Sequence, residues 1–278
     1  MNIAIPYLSA LRFSGEDATE FLHNQLSADV LGLANGESTF ACYCEPKGRV
    51  LALMLVGRVD DTHFVILSGS LADTIAARLK IYVMRAKVSI EVLGQYSVSG
   101  VQLDDEALAN TPGSFAIKVP GSNTGLMLAE TTPTVDDSVG GPVMDERTAA
   151  WKASEVQRGI VWLDPASSTQ FLPQMLGFDQ IGAVNFRKGC YPGQEIVARI
   201  HYLGKVKRHA RCLHTEISVE PLPMAKIKMY DGEDEYDALV VDSVSQEQAG
   251  SFVFVVSRMD PELAVDHFDY QQQSYPLI

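Results

Sequence analysis

The sequence has few cysteines and no long apolar segment, and both absences restrict the classes of protein it can belong to. Its 278 residues include four cysteines, too few for a disulfide framework, which favours a reducing cytoplasm. The longest apolar run, near residues 50–56, is far too short to cross a bilayer. The N-terminus lacks the basic region and apolar core of a signal peptide. We therefore expect a cytoplasmic protein with no membrane segment.

Positive charge is scarce overall and is concentrated in one stretch. The chain has 22 Lys and Arg against 35 Asp and Glu, for a net charge of −13, which argues against general nucleic-acid binding. Residues 185–211 nevertheless carry a local charge of +6, which leaves −19 for the rest. Such a patch attracts an anion: a carboxylate-tailed cofactor, a phosphate or an RNA backbone. A solvated helix face is the alternative. The basic residues are Arg187, Lys188, Arg199, Lys205, Lys207, Arg208 and Arg211.

Helical and strand-like segments alternate irregularly, which predicts an α+β fold rather than a doubly wound sheet. Helices are expected after a cap at Ser14, over about 70–82 and over 145–158. Residues 131–142 are typical of a loop.

Residues 207–278 contain short β-rich runs separated by turns, which favours a small barrel. A chain of this length favours more than one lobe, so we expect an α+β region over 1–206 and a β-barrel over 207–278. Strands are predicted at 38–44, 49–56, 62–67, 86–92, 96–103, 114–119 and 125–130.

The most informative segment is residues 188–195, Lys-Gly-Cys-Tyr-Pro-Gly-Gln-Glu. A nearby cation and a helix N-terminus both favour the reactive thiolate form of a cysteine. Arg187 and Lys188 supply the cations, and Pro192 suits the first turn of a short helix that Gly204 ends. Cys190 is therefore the candidate reactive residue, with Lys188 and Glu195 as candidate catalytic partners.

Other cysteines need no chemical role. A free cysteine is more often a small buried apolar residue than a reactive one, and this remains the alternative even for Cys190. Cys42 and Cys44 form a C-x-C, whereas a structural zinc site usually needs four ligands with paired C-x-x-C spacing. We therefore predict no metal site.

The string 188–199, ending Ile-Val-Ala-Arg, resembles the signature of the folate-binding YgfZ family, which is related to the aminomethyltransferase (T-protein) of the glycine cleavage system. Three further segments are similar to that family: 21–30 (Phe-Leu-His-Asn-Gln-Leu-Ser-Ala-Asp-Val), 44–49 (Cys-Glu-Pro-Lys-Gly-Arg) and 170–174 (Gln-Phe-Leu-Pro-Gln). Together the matches cover most of residues 8–211, and the cysteine motif is the most specific of them.

The resemblance implies an aminomethyltransferase-like fold, with folate-binding lobes around a channel and a C-terminal β-barrel. It implies tetrahydrofolate, or a derivative, as cofactor. It further implies a role in assembly or repair of iron–sulfur proteins, including radical enzymes that methylthiolate tRNA, with no direct nucleic-acid binding expected. The implied cofactor-binding residues are Leu8, Asn24, Gln25, Trp151, Tyr191, Gln194 and Arg199.

Departures from the transferase pattern leave the activity open. Where the transferases carry an acidic pair after a glycine turn, this chain has 48–52, Gly-Arg-Val-Leu-Ala, and Glu155 stands where they have an arginine. Leucine cannot act as a general acid or base. These losses favour a folate-binding auxiliary factor over the alternative, a folate-dependent aminomethyl or methyl transferase. A pure RNA-binding module built on the basic stretch is the third hypothesis.

Overall fold

Three antiparallel β-sheets form the framework of the molecule in a computed structural model that describes residues 2–103, 114–131, 144–232 and 234–278. The predicted loop over 131–142 lies, except for residue 131, outside the described residues. The strands are β1 (Ile3–Ala4), β2 (Leu8–Ser14), β3 (Ser38–Cys44), β4 (Val50–Val59), β5 (Thr62–Ser68), β6 (Ser89–Val92), β7 (Tyr96–Gln102), β8 (Ser114–Lys118), β9 (Thr124–Glu130), β10 (His209–Thr215), β11 (Lys226–Asp231), β12 (Asp234–Gln246), β13 (Gly250–Ser257), β14 (His267–Tyr270) and β15 (Gln273–Pro276). The α-helices are α1 (Ala18–Gln25), α2 (Ala72–Ile81), α3 (Glu146–Gln157) and α4 (Gln194–Leu203).

The first sheet, in the order β3-β4-β5-β2-β6, contains most of the N-terminal core. The first eight residues of β4 are all buried, as expected for a central strand covered on both faces. Helix α1 packs Phe21 and Leu22 into this core. Its last turn lies close to the edge strand β3, where Leu26 forms an isolated bridge with Tyr43.

The second sheet, in the order β1-β7-β9-β8, lies against α3. The indole of Trp151 on α3 packs directly on Gly100 of β7, where an added Cβ would lie 2.6 Å from the ring. Glycine is therefore needed at residue 100 for the close approach of helix and strand.

The third sheet, in the order β10-β13-β12-β11-β14-β15, is the C-terminal unit. All eight residues of β13 are buried. Val253 and Val255 of β13 pack in a separate hydrophobic core of the C-terminal unit. Phe252 and Phe254, on the opposite face, pack in the main core. A bulge in β12 between Val240 and Asp242 shifts the register. Because a bulge reverses the alternation of side chains along a strand, it points Asp242 towards α3.

The α+β fold class is confirmed, and the expected C-terminal barrel is a curled sheet that forms a half-barrel. Two local predictions are wrong. Ser14 ends β2 instead of capping α1, whose N-cap residue is Asp17, and α4 begins at Gln194, two residues after Pro192. A division near residue 206 stays a prediction. Within the part of the chain that is described, no helix is long and apolar enough to cross a membrane.

Candidate functional site

The cysteine motif forms a turn that leads into α4 and lies against the turn between β3 and β4. Gly193 has a φ of +82°, and an added Cβ would lie 2.4 Å from the Glu45 carbonyl oxygen. Glycine is the residue that tolerates both conditions. Two segments that the sequence analysis singled out separately, 44–49 and 188–195, therefore meet through this glycine.

The ammonium group of Lys188 is held in place beside the motif. Its Nζ donates hydrogen bonds to the carbonyl oxygens of His23 and Leu26, the latter at 2.6 Å. It also lies 5.1 Å from the ring centroid of Tyr191, within the range of a cation–π contact. Burial lowers the pKa of Lys188 to about 8, so at neutral pH the side chain is still mostly charged. The structure thus provides a fixed cation next to Cys190.

The four cysteines, all in the described part of the chain, differ sharply in exposure. Cys42 and Cys44 are buried, Cys212 is partly buried and Cys190 is exposed. Burial raises the pKa of Cys44 to about 12 and that of Cys212 to about 11, which keeps these thiols protonated and inert. Cys190 is therefore the thiol that an incoming molecule meets.

Of the other residues predicted to lie near the motif, some stabilise its turn or are partly buried, and the others face solvent. Gln194 Nε2 donates to the Lys188 carbonyl oxygen at 3.3 Å, which braces the turn. Gln25 is half-buried, and its Oε1 has no hydrogen-bond partner among the described residues. Asn24, on the same last turn of α1, is exposed, as are Glu195 and Arg199 on α4. An open cavity of about 690 Å³ is lined by Asp29 and Asn185 among others, and by no residue of the cysteine motif.

A second polar cluster surrounds Glu155 on α3. Glu155 is 5% exposed, and its Oε2 accepts hydrogen bonds from Tyr7 Oη at 2.8 Å and Trp162 Nε1 at 3.1 Å. Burial raises the pKa of Glu155 to about 7, and the Tyr7 hydrogen bond works in the opposite direction. At neutral pH this buried group therefore exists in both the acidic and the ionised form.

Two cavities adjoin the Glu155 cluster. Tyr7 and Trp162 line one of about 450 Å³, which also includes Lys152 and Asp242. Residues of the first sheet, of α3 and of the C-terminal unit all contribute to its wall. Glu155 itself lines the other, of about 320 Å³, together with Trp151, Arg147 and Arg158. Ligand sites typically occupy volumes of about this size.

The predicted pocket residues are thus placed in two regions. Trp151 lines the smaller cavity, whose lining contains neither Asn24 nor Cys190. Leu8 is buried in the core, and the aromatic side chain that lines the larger cavity is its neighbour Tyr7. The Trp151 indole nitrogen is buried beside the Glu155 carboxyl and makes no hydrogen bond of normal geometry.

Sequence reasoning missed three features of these regions. Lys152 and Asp242 form a buried ion pair at 2.7 Å that joins α3 to β12, and no local pattern links residues 90 positions apart. No sequence pattern singles out Tyr7, and Glu155 is distinguished only because the transferases have an arginine at that position. His23 lies in the segment 21–30, directly before Asn24 and Gln25, and no pattern in the sequence singles it out.

The basic stretch is divided in the structure. Lys188 is bound to carbonyl oxygens of α1 as described above. Arg211 donates to the carbonyl oxygens of Asp260 and Leu263, so it serves the C-terminal unit. Arg187, Arg199, Lys205 and Lys207 are exposed. The cationic surface near the motif is therefore smaller than the sequence suggests.

The whole arrangement defines a protein of the aminomethyltransferase fold class. The aminomethyltransferase T of the glycine cleavage system of Bartonella henselae superposes with a TM-score of 0.73 over 99% of this chain and 83% of that protein, at 14% sequence identity. The chain belongs to the YgfZ family.

Sequence relatives establish this membership, although no protein-family model matches the chain. A protein of Cronobacter sakazakii named tRNA-modifying protein YgfZ is 30% identical over 244 residues, which is 80% of this chain and 73% of the relative. One of the same name from Sodalis glossinidius is 28% identical over 95% of this chain and 86% of the relative. An uncharacterized protein of Haemophilus influenzae is 31% identical over 74% of this chain and 70% of its own length.

Proposed function

We propose that the chain is a tetrahydrofolate-binding auxiliary factor that supports tRNA modification by assembling or repairing iron–sulfur enzymes, with Cys190 as its working thiol. The observation that carries the proposal is the exposed Cys190 beside the fixed Lys188 ammonium. Support comes from the shared fold with an aminomethyltransferase and from relatives named for tRNA modification. No group of three or more metal-ligating side chains occurs in the described residues, so a cluster would be the cargo of a partner protein.

We infer that a reduced folate would bind in the cavities around Glu155. A pterin ring needs an aromatic wall and polar groups at its edge, and the smaller cavity is lined by the Trp151 side chain and by Glu155. Arg147 and Arg158 line the same cavity, so they would hold the anionic tail of the cofactor. When bound, the folate would supply one-carbon or redox chemistry, while Glu155 would hold or release a proton at its carboxyl.

The role of the thiol is tested by complementation. Cys190→Ala is expected to fold and to bind tetrahydrofolate like the native protein, yet to lose rescue of a strain that lacks the protein. Cys212→Ala, which removes a partly buried thiol, is the matched control and should rescue. Full rescue by Cys190→Ala would remove the thiol from the function.

The folate site is tested separately by calorimetry with tetrahydrofolate. Trp151→Leu keeps apolar volume but loses the aromatic wall of the cavity, so the affinity should fall about tenfold. Tyr202→Phe, which alters an exposed aromatic residue of α4, should leave it unchanged. Unaltered affinity in a folded Trp151→Leu variant would place the cofactor elsewhere.

A folate-dependent transferase is the second candidate, and Glu155 is the observation that favours it. Leu51, buried in β4, stands where the transferases have their acid, but Glu155 has the pKa of about 7 that suits a general acid or base. Incubation of the protein with tetrahydrofolate and a panel of aminomethyl and N-methyl donors decides between the two. Turnover that Glu155→Gln abolishes would establish the transferase.

A further inference from the structure

Three aromatic rings form a stacked group on the surface beside α4. The Phe186 ring, partly buried against the main core, lies parallel to the imidazole of His201, with ring centroids 3.6 Å apart and an interplanar angle of 9°. The ring of Tyr202 meets that imidazole edge to face at 4.7 Å. The Asn185 N–H donates to the Ser27 carbonyl oxygen at 2.8 Å, so the segment before Phe186 is tied to the core as well. The rings are therefore held in a fixed arrangement.

The end of α4 leaves the outermost of these rings open to solvent. Tyr202 is 62% exposed and Leu203 is 85% exposed, whereas Val197 of the same helix is fully buried. The Tyr202 hydroxyl donates a long hydrogen bond of 3.4 Å to the Phe186 carbonyl oxygen, a contact made by the edge of the ring. An aromatic face that is exposed and held in position is a surface on which another planar group can stack.

Four exposed basic side chains flank the ring group. One directly follows Phe186, one lies a turn before Tyr202 on the same side of α4, and two follow the end of that helix. These residues are Arg187, Arg199, Lys205 and Lys207. None of them forms an ion pair or a side-chain hydrogen bond with any residue that the structure describes. Glu195 is the one acidic residue within 186–207, so most of this positive charge is not neutralised by the protein.

We propose that the ring group and its four cations form a contact surface for single-stranded RNA. Unpaired bases stack on the exposed aromatic face while the phosphates lie against the basic side chains. A duplex fits this surface less well, because its base faces are covered by the neighbouring base pairs. The net charge of −13 over the whole chain disfavours a polyanion elsewhere, so the contact is confined to this surface.

The rings favour RNA over an acidic protein segment, which is the other partner that such a charge attracts. Carboxylate side chains satisfy the cations but supply no planar group for the exposed face of Tyr202, whereas each nucleotide brings both a phosphate and a base. The choice of RNA over DNA rests on the role in tRNA modification proposed above. The surface itself depends neither on the Cys190 thiol nor on the cavities around Glu155.

The test measures the fluorescence anisotropy of a labelled oligoadenosine of about ten nucleotides, a length typical of single-strand sites, during titration with the full chain. Three or four neutralised phosphates give a slope of about −2 to −3 in a plot of log affinity against log salt concentration. The affinity should therefore weaken by about 20- to 50-fold between about 50 and 200 mM salt. Absent or salt-insensitive binding would overturn the inference.

Variants separate stacking from charge. Tyr202→Ala removes the ring and should weaken binding by at least about tenfold, whereas Tyr202→Phe keeps the ring and should bind like the native protein. Arg199→Gln should weaken binding and reduce the salt slope by about 0.7, the contribution of one phosphate contact. Lys226→Gln, which alters an exposed lysine of β11 in the C-terminal unit, is the matched control and should change neither quantity.

Further readouts keep the outcome clear. Thermal melting identifies a variant that misfolds, and Arg199→Gln carries the test if Tyr202→Ala does so. Native affinity in folded Tyr202→Ala would contradict the inference, as would tighter binding of an RNA duplex or of the matching DNA oligonucleotide. Displacement of the RNA by polyglutamate at equal charge would reject it in favour of an acidic protein partner. Cys190→Ala should bind the RNA like the native protein, so this surface and the proposed thiol function can fail separately.

Discussion

At the scale of single residues, Glu155 shows how burial sets the state of an ionisable group. Its carboxyl accepts two hydrogen bonds, from Tyr7 and Trp162, yet these only partly offset the loss of hydration, since its pKa is raised from 4.5 to about 7. A group with a raised pKa binds its proton more tightly in the folded state than in the unfolded chain. The folded protein is therefore most favoured when this carboxyl is protonated.

This linkage predicts a pH dependence of stability. Between about pH 4.5 and pH 7 the free energy of unfolding of the native protein should fall by about 3 kcal/mol relative to that of Glu155→Gln, because each unit of pKa shift corresponds to about 1.4 kcal/mol. Urea titrations at half-unit steps of pH measure both curves. Glu16→Gln, which removes an exposed carboxylate, is the control. Parallel curves for the native protein and Glu155→Gln would contradict the assignment.

At the scale of secondary-structure elements, the ion pair between Lys152 and Asp242 joins α3 to the bulged strand β12. Both side chains are about 85% buried, with 15% and 13% exposed. Taking one partner away leaves an unpaired charge in a poorly hydrated place, which is far more costly than losing an exposed pair. Burial already raises the pKa of Asp242.

Lys152→Met should therefore lower the free energy of unfolding by about 3–5 kcal/mol. Arg12→Met, which breaks the exposed pair with Glu91 (44% and 41% exposed), should cost less than about 1 kcal/mol. Denaturant unfolding compares the two. The double variant Lys152→Met, Asp242→Leu should recover much of the loss, since it leaves no buried charge. If Lys152→Met and Arg12→Met lowered the free energy of unfolding equally, the pair of Lys152 and Asp242 would be effectively hydrated.

The same elements show how far the sequence can predict the structure. Helices α2 and α3 and strands β3 to β9 follow local patterns, so their positions were predictable to within a few residues. The bulge in β12 was not, because residues 240–242, Val-Val-Asp, contain no glycine or other local signal for it. The cysteine motif was predictable because its residues are contiguous. The Glu155 cluster was not, since Tyr7 lies 148 positions away in the chain.

At the scale of the whole molecule, the C-terminal unit is not energetically separate. One face of its sheet completes the main core through Val241, Val244, Phe252, Phe254 and Val256, each less than 10% exposed. Burying one such side chain stabilises a protein by about 1.5–3 kcal/mol. Five of them therefore match the total stability of a typical domain, about 5–15 kcal/mol.

A chain truncated to residues 1–206 should therefore fail to unfold cooperatively. We expect a broad or absent thermal transition by circular dichroism and rapid proteolysis. Deletion of residues 273–278, which removes the edge strand β15 and the two residues after it, should leave a cooperative transition at a lower temperature. A truncated 1–206 monomer with a sharp transition would show that the N-terminal lobes form an independent domain.

Lys188 also anchors two parts of the structure at once, because the carbonyl oxygens that it binds lie at the end of α1. A neutral residue at this position would remove a charge from the neighbourhood of the thiol and would also remove the two hydrogen bonds that hold the end of α1. A loss of function caused by a neutral substitution of Lys188 could therefore come from the missing charge or from the missing hydrogen bonds to α1. Lys188→Arg separates the two readings, since it keeps the positive charge while altering the reach to both carbonyls.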